Sequence, residues 1–368
     1  MEALPGTRDI WGRLPRMKGY THLALCLAQG NTSQNEIQRR LEIATQRIGA
    51  ALPRGWAGCS GIFTVARNVA SGSILRDQDR RDVCPSFGEM VEGGGTGAQL
   101  DGSVLSAETS LPDSYIESEE DPAPVLTVTV NWIRDGLVLD CAAQHNILDM
   151  GGIDQFLRLL AAAMSGREFE KEAIEVNSRD RLGLFPRLHD GEQRLNHSFM
   201  RCASSLTPAL RKRASGPQPE FHHFRFSAGN LTRLAVAANP PSVDDALSAF
   251  VWKRLSMVRL EQGQSFDTMT GFSRAVDCRR TLDISAEYMG VAVLETDSKV
   301  SFQEMTQSSL TELAACLRQD VHRIRNQYFL RSLATTIAEE PDKSTYNFVP
   351  DIHPNTWVNA SSWAGVPA

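Results

Sequence analysis

Val125-Leu126-Thr127-Val128-Thr129-Val130, Arg134-Asp135-Gly136, Leu137 to Ala143, and Gln144-His145-Asn146-Ile147-Leu148-Asp149-Met150-Gly151-Gly152 follow one another in the sequence, and this block decides the fold. The first segment is rich in strand formers. Asp135-Gly136 is a hairpin signal, so a second strand is expected from Leu137 to Ala143. Beyond Gly152, Ile153, Phe156, Leu157, Leu160 and Met164 return at helical spacing, which predicts a helix over 153–164. His145 then stands where a strand ends, and Gly151-Gly152 is expected to turn the chain tightly into the helix. Strand ends that feed helices are common places for active-site residues.

Upstream of this block, Tyr20 to Leu27 reads as a strand. Ile37, Leu41, Ala44 and Ile48 predict a helix to Ala51, with Thr32 or Ser33 as its cap and Pro53 as its stop. Residues 86–122 are rich in Gly, Ser, Asp and Glu and read as long surface loops. Downstream, weak periodicity over 166–218 suggests a crossover. A strand is expected over Phe221 to Phe226, helices over Leu231 to Ala238 and Val243 to Leu260, and strands over Phe266 to Val276 and Val291 to Leu294. Helices over Gln303 to Arg318 and Val321 to Ala338 complete the pattern. Mingled strands and helices imply an α/β (α+β) fold with mixed sheets.

Composition narrows the function. The chain has 368 residues, long enough for two domains, and a net charge of -6. That balance argues against a nucleic-acid partner. The short basic run Arg211-Lys212-Arg213 reads as a solvated linker. Seven scattered cysteines form no zinc-like spacing and fit a reducing, cytoplasmic setting. No secretory signal and no membrane span are expected. Gly93-Gly94-Gly95-Thr96-Gly97 lacks the lysine and helix of a phosphate loop, and no Gly-x-Ser-x-Gly elbow is present. His222 and His223 are adjacent in an expected strand, so they point to opposite faces and make a poor metal pair. No metal is expected.

His145 is the strongest catalytic candidate, because an imidazole can take a proton near neutral pH. Asp149, four residues on, can face the ring or turn away and hold the loop through a buried ion pair. Spacing alone leaves both open.

The segment from Ala143 to Gly152 resembles the His-x-x-x-Asp signature of the acyl-CoA-dependent (BAHD) transferase family, especially its fungal members of the trichothecene 3-O-acetyltransferase type. Further segments agree in the family's order. These are Pro53 to Gly58, Phe224 to Leu234, Asp244 to Trp252, Val276-Asp277-Cys278-Arg279-Arg280 and Tyr288-Met289-Gly290. The resemblance implies two chloramphenicol-acetyltransferase-like domains. They are placed at 1–185, carrying the site, and at 219–368, joined by a crossover linker over 186–218. It implies transfer of an acyl group from acyl-CoA, acetyl-CoA foremost, to a hydroxyl or amine of a small molecule, in fungal secondary metabolism. It makes His145 the general base and Asp149 an anchor paired with Arg279, with Gly151 and Gly152 structural. It also implies a monomer with acyl-CoA as co-substrate and no bound cofactor; the CoA-binding residues stay unassigned.

Three departures stand out. Val291 follows Gly290 where the family carries Asn, and Thr281 stands in place of a second Arg. The family's Asp-Phe-Gly-Trp-Gly signature is absent, and the chain stops after a segment, Asn359 to Ala368, that resembles the one preceding it. The expectation is therefore a shortened chain with an incomplete second domain. The alternative to an active enzyme is an inactive relative that binds or regulates, or a gene-model fragment.

Overall fold

A computed structural model describes residues 9–14, 17, 19–52, 74–94, 100–106, 124–202, 221–238, 242–348 and 353–364. The Pro53–Gly58 block, Cys59, Gly95–Gly97, Arg211–Arg213 and residues 203–218 of the expected crossover lie outside the described residues. The chain forms two compact units of mixed α/β structure. The first comprises Met1–Phe185, Leu206–His223 and Ile284–Val291, and the second Pro186–Ser205, Phe224–Asp283 and Ala292–Ala368.

The first unit is built on the expected hairpin. Strands β3 (Leu126–Ile133) and β4 (Gly136–Gln144) pair antiparallel, with Ile133 opposite Gly136. Asp135 in the turn between them takes a φ of 60°, a left-handed conformation that aspartate tolerates better than most residues. Strand β1 (Tyr20–Ala28) pairs antiparallel with β4. Strand β2 (Leu75–Asp79), Leu-Arg-Asp-Gln-Asp, pairs parallel with β3, giving the order β1-β4-β3-β2. The polar composition of β2 carries no strand pattern, so only its pairing with β3 identifies it.

One face of this sheet carries Val128, Val130, Leu137, Leu139, Cys141 and Ala143. Against it pack Leu41, Ala44 and Ile48 of the Gln34–Ala51 helix and Ile153, Phe156 and Leu160 of the Met150–Met164 helix. Each such large side chain contributes about 1.5–3 kcal/mol by leaving water. Ser33 caps the first of these helices, accepting from Glu36 N–H at 3.3 Å. The other face is polar yet buried, with Thr127, Thr129, Asn131, Asp140 and Gln144. His22 lies on it, Nδ1 3.3 Å from Asp140 Oδ2. The expected loop region over 86–122 also contains two short helices, Phe87–Glu92 and Gly102–Leu105. A reciprocal Ser86/Glu89 box caps the first of them.

In the second unit, strand β5 (Met269–Asp277) pairs antiparallel with β6 (Val293–Glu295) and β7 (Ser298–Ser301), and parallel with β8 (Trp357–Ala360). Trp252 of the Val243–Glu261 helix and Leu313 and Leu317 of the Leu310–Ile324 helix pack on Phe272 of β5.

Three expectations change here. The helix expected over Val321 to Ala338 starts at Gln327 behind an Asn326 cap, because Val321–Ile324 ends the helix before it. The helix expected over Gln303 to Arg318 is two, Phe302–Gln307 and Leu310–Ile324. Both Ser301-x-x-Glu304 and Ser309-x-x-Glu312 form capping boxes, and the second starts a new helix where periodicity alone reads continuity. The strand expected over Phe221 to Phe226 pairs with no strand among the described residues, and Phe221 and Phe224 are exposed. Aromatic strand propensity yields a strand only where an edge is available to pair with. Among the described residues, no helix is long and apolar enough to cross a membrane.

Candidate active site

The site grows from the end of β4. Gln144 is fully buried; its Nε2 donates to the Pro124 carbonyl at 2.9 Å, and the Tyr20 hydroxyl donates to the same oxygen. The chain then turns sharply, with the N–H groups of Ile147 and Leu148 both donating to the Gln144 carbonyl at 3.0 Å. His145 lies within this turn. Its N–H donates to the Gly19 carbonyl at 2.8 Å, fixing the main chain that carries the ring.

The His145 side chain is densely surrounded but partly accessible. Its Nδ1 is buried, with no hydrogen-bond partner in bonding geometry. Burial holds the imidazole below the ordinary histidine range; its own main-chain carbonyl and the charge of Asp149 oppose that shift and do not cancel it. The ring is therefore neutral at pH 7 and able to accept a proton.

Asp149 does not turn away into solvent. It is the buried N-cap of the Met150–Met164 helix, and its Oδ1 accepts the Gly152 N–H at 2.9 Å. A carboxylate there satisfies an otherwise orphaned donor and meets the positive end of the helix dipole. The helix thus begins three residues before the expected Ile153. Gly151 and Gly152 lie in its first turn, not in a turn leading to it. Gly152 answers a close approach instead: a Cβ there would overlap the Met289 main-chain carbonyl. Met289 is in turn held by its N–H, which donates to Asn177 Oδ1 at 2.8 Å.

Arg279 is buried, and its Nη1 donates to Asp277 Oδ1 at 3.0 Å.

Sequence reasoning missed Asp9, Gly12 and Arg181. Arg181 is buried and donates from Nη1 to the Ile147 carbonyl at 3.0 Å, inside the His145–Asp149 loop. Its guanidinium carbon lies 5.7 Å from the centre of the Tyr288 ring, within cation–π range. Asp9 is fully buried nearby in the same unit. Asp9 and Gly12 come from one part of the chain and Arg181 from another, both distant in sequence from His145, so no local spacing announces them.

The arrangement offers one accessible neutral imidazole on a loop fixed at both ends. Two family models match the chain. One describes a trichothecene 3-O-acetyltransferase-like N-terminal domain and covers residues 20–164. The other describes the transferase family and covers residues 103–367. The chain is 35% identical to the O-acyltransferase pigD of Monascus ruber, over 100% of this chain and 86% of that protein. It is 34% identical to the O-acetyltransferase azaD of Aspergillus niger, over 98% of this chain and 82% of that protein. Among solved structures, that of TRI101 of Fusarium sporotrichioides in complex with coenzyme A and T-2 superposes with a TM-score of 0.81. That chain is 26% identical, and the match covers 98% of this chain and 83% of that one.

Proposed function

Because the chain belongs to the transferase family and matches the trichothecene 3-O-acetyltransferase-like N-terminal domain over residues 20–164, we propose that it moves an acyl group from acyl-CoA to a hydroxyl of a small secondary metabolite, with His145 as general base. The observation that carries this reading is the His145 ring itself: neutral, partly accessible, and held by a bonded main chain at the end of β4. Likeness to the O-acyltransferase pigD and to the coenzyme A complex of TRI101 supports the donor class.

The chemistry follows from the ring. With Nδ1 buried, Nε2 is the nitrogen assigned to the acceptor. It takes the hydroxyl proton as the oxygen attacks the thioester carbonyl carbon. The C–O bond forms, the tetrahedral oxyanion collapses, and the C–S bond breaks. The imidazolium returns its proton to the departing CoA thiolate. An amine acceptor follows the same course.

Release of free CoA thiol from a panel of acyl-CoAs with candidate alcohols tests the proposal; no acceptor-dependent release from any pair sinks it. A base with a lowered pKa also has a pH signature. We expect kcat/KM to be flat at neutral pH and to fall only below 6.5, the ordinary histidine value. An acid limb centred above that value contradicts His145 as the base.

Asp149 acts in this reading as an anchor. The family resemblance pairs it with an arginine of the later block, for which Arg279 is our choice. A double-mutant cycle of Asp149→Asn and Arg279→Met tests that role, with an expected coupling of about 0.5–3 kcal/mol in unfolding free energy. Strictly additive effects remove Arg279 from the site.

A further inference from the structure

Asp9 is a fully buried carboxylate for which acyl transfer as written has no use. Its contacts nevertheless converge on the catalytic loop. Oδ1 accepts the Gly12 N–H at 2.6 Å. Oδ2 accepts the Val291 N–H at 2.8 Å and the Tyr288 hydroxyl at 3.3 Å.

Each partner touches the loop or its neighbours. Gly12 lies flush against the main-chain carbonyl of Asn146, the residue after His145, and a Cβ at Gly12 would overlap that oxygen. Seven residues further on, the Gly19 carbonyl holds the His145 N–H. On the other side, Val291 is two residues from Met289, whose carbonyl closes over Gly152. One carboxylate therefore ties together the two segments that flank the His145–Gly152 loop at its beginning and its end. Aromatic packing encloses the junction: Trp11 meets Phe185 edge-on at 4.8 Å, and Phe185 meets Tyr288 at 6.4 Å.

We propose that Asp9 is a positioning residue for His145. Its ionised carboxylate clamps the segment from Asp9 to Gly19 and the segment from Tyr288 to Val291 around the loop, and so sets where the imidazole stands. This rests on the acyl-transfer reading and adds a second ionisation that the site requires.

The charged groups around Asp9 make that ionisation matter. Burial raises its pKa to about 6. The charge of Arg181 and the N–H groups of Gly12 and Val291 pull it down, while the charge of Asp149 adds to the rise. Protonation puts an O–H donor among three groups that donate to Asp9, so the Tyr288 hydroxyl must reverse or release it, and the charge that holds the Gly12 and Val291 N–H groups is lost. Both Asp9 and His145 must be deprotonated for full activity, so a proton on His145 removes the base and a proton on Asp9 weakens the activity that remains.

The test is the pH dependence of kcat/KM for the full chain, with Asp9→Asn beside the wild type. On the acid side the wild-type slope should exceed one over the first one to two pH units, about the span of a 10- to 100-fold loss, whereas Asp9→Asn should show a slope of one throughout. At neutral pH, Asp9→Asn should lower kcat by about 10- to 100-fold, the scale of a 1 Å misplacement. KM for acyl-CoA should stay within about threefold, since uniform binding is untouched. Gly12→Ala is the second variant. It keeps Asp9 ionisable, puts a methyl against both the Asn146 carbonyl and Asp9 Oδ1, and should lower kcat in the same way. A wild-type slope of one throughout overturns the inference and leaves acyl transfer standing. So does a folded Asp9→Asn or Gly12→Ala protein with wild-type kcat. Absence of acyl transfer by the wild type at any pH overturns both.

Discussion

Replacing His145 with alanine is expected to lower kcat by about 10²- to 10⁴-fold, the usual contribution of a placed general base. The fall should appear equally in kcat/KM, because proton abstraction stabilises only the transition state. Stability should change little. The hydrogen bond that holds the loop comes from the His145 main-chain N–H to Gly19, and alanine keeps it. The buried Nδ1 has no partner to be orphaned. Steady-state release of CoA thiol and a thermal melt, run on the same preparations, make the comparison. A variant that retains more than about a tenth of wild-type kcat lies outside the range for a lost base, and the assignment of His145 then fails.

The second large effect falls on stability and belongs to the other unit. Asp245, fully buried at the start of the Val243–Glu261 helix, accepts Nη1 of Arg274 at 2.9 Å, Nε of Arg318 at 2.9 Å and the Ser242 hydroxyl at 2.7 Å. Arg274 is itself buried. Asp245→Ala strands that guanidinium with the half-exposed Asp244 at 3.0 Å and the Leu317 carbonyl at 3.0 Å as its remaining acceptors. Breaking a buried ion pair at one partner costs about 3–5 kcal/mol. Asp244→Ala, at the solvent-facing position next door, should cost under about 1 kcal/mol. Urea unfolding of the two variants gives the comparison, and equal losses would mean that the network carries no special weight.

The pH dependence of this contribution has a definite sign. Burial alone pushes the Asp245 carboxyl up, but hydrogen bonds from Ser242, Arg318 and Arg274 outweigh it and hold the group below the usual aspartate range. A depressed folded-state pKa stabilises above the unfolded value, and the gain is lost as pH falls through the folded one. Asp245→Ala should therefore lose its deficit relative to wild type at strongly acidic pH.

Much of this was legible from residue order because it depends on local physics. Asp135-Gly136 between two runs of strand formers specifies the β3–β4 hairpin, and apolar spacing from Ile153 specifies the helix face that buries on it. His145 falls between them whatever the rest of the chain does. Gly152 was legible as important but for the wrong cause, because its constraint comes from Met289, 137 positions away in the chain. The Phe221–Phe226 strand failed for the converse reason: propensity was present, and no strand among the described residues pairs with it.

What the sequence determined by itself was the acyltransferase family, the hairpin-to-helix frame and His145 at its hinge, since each follows from contacts within a few residues or from an ordered set of short motifs. What only the tertiary structure decided was the environment of that histidine. Asp149 as a buried cap, Arg181 on the Ile147 carbonyl, and Asp9 joining Gly12 to Val291 are contacts between segments far apart in the chain. Burial and charge at such meeting points set a pKa and a side chain's reach, and neither exists until the chain has folded.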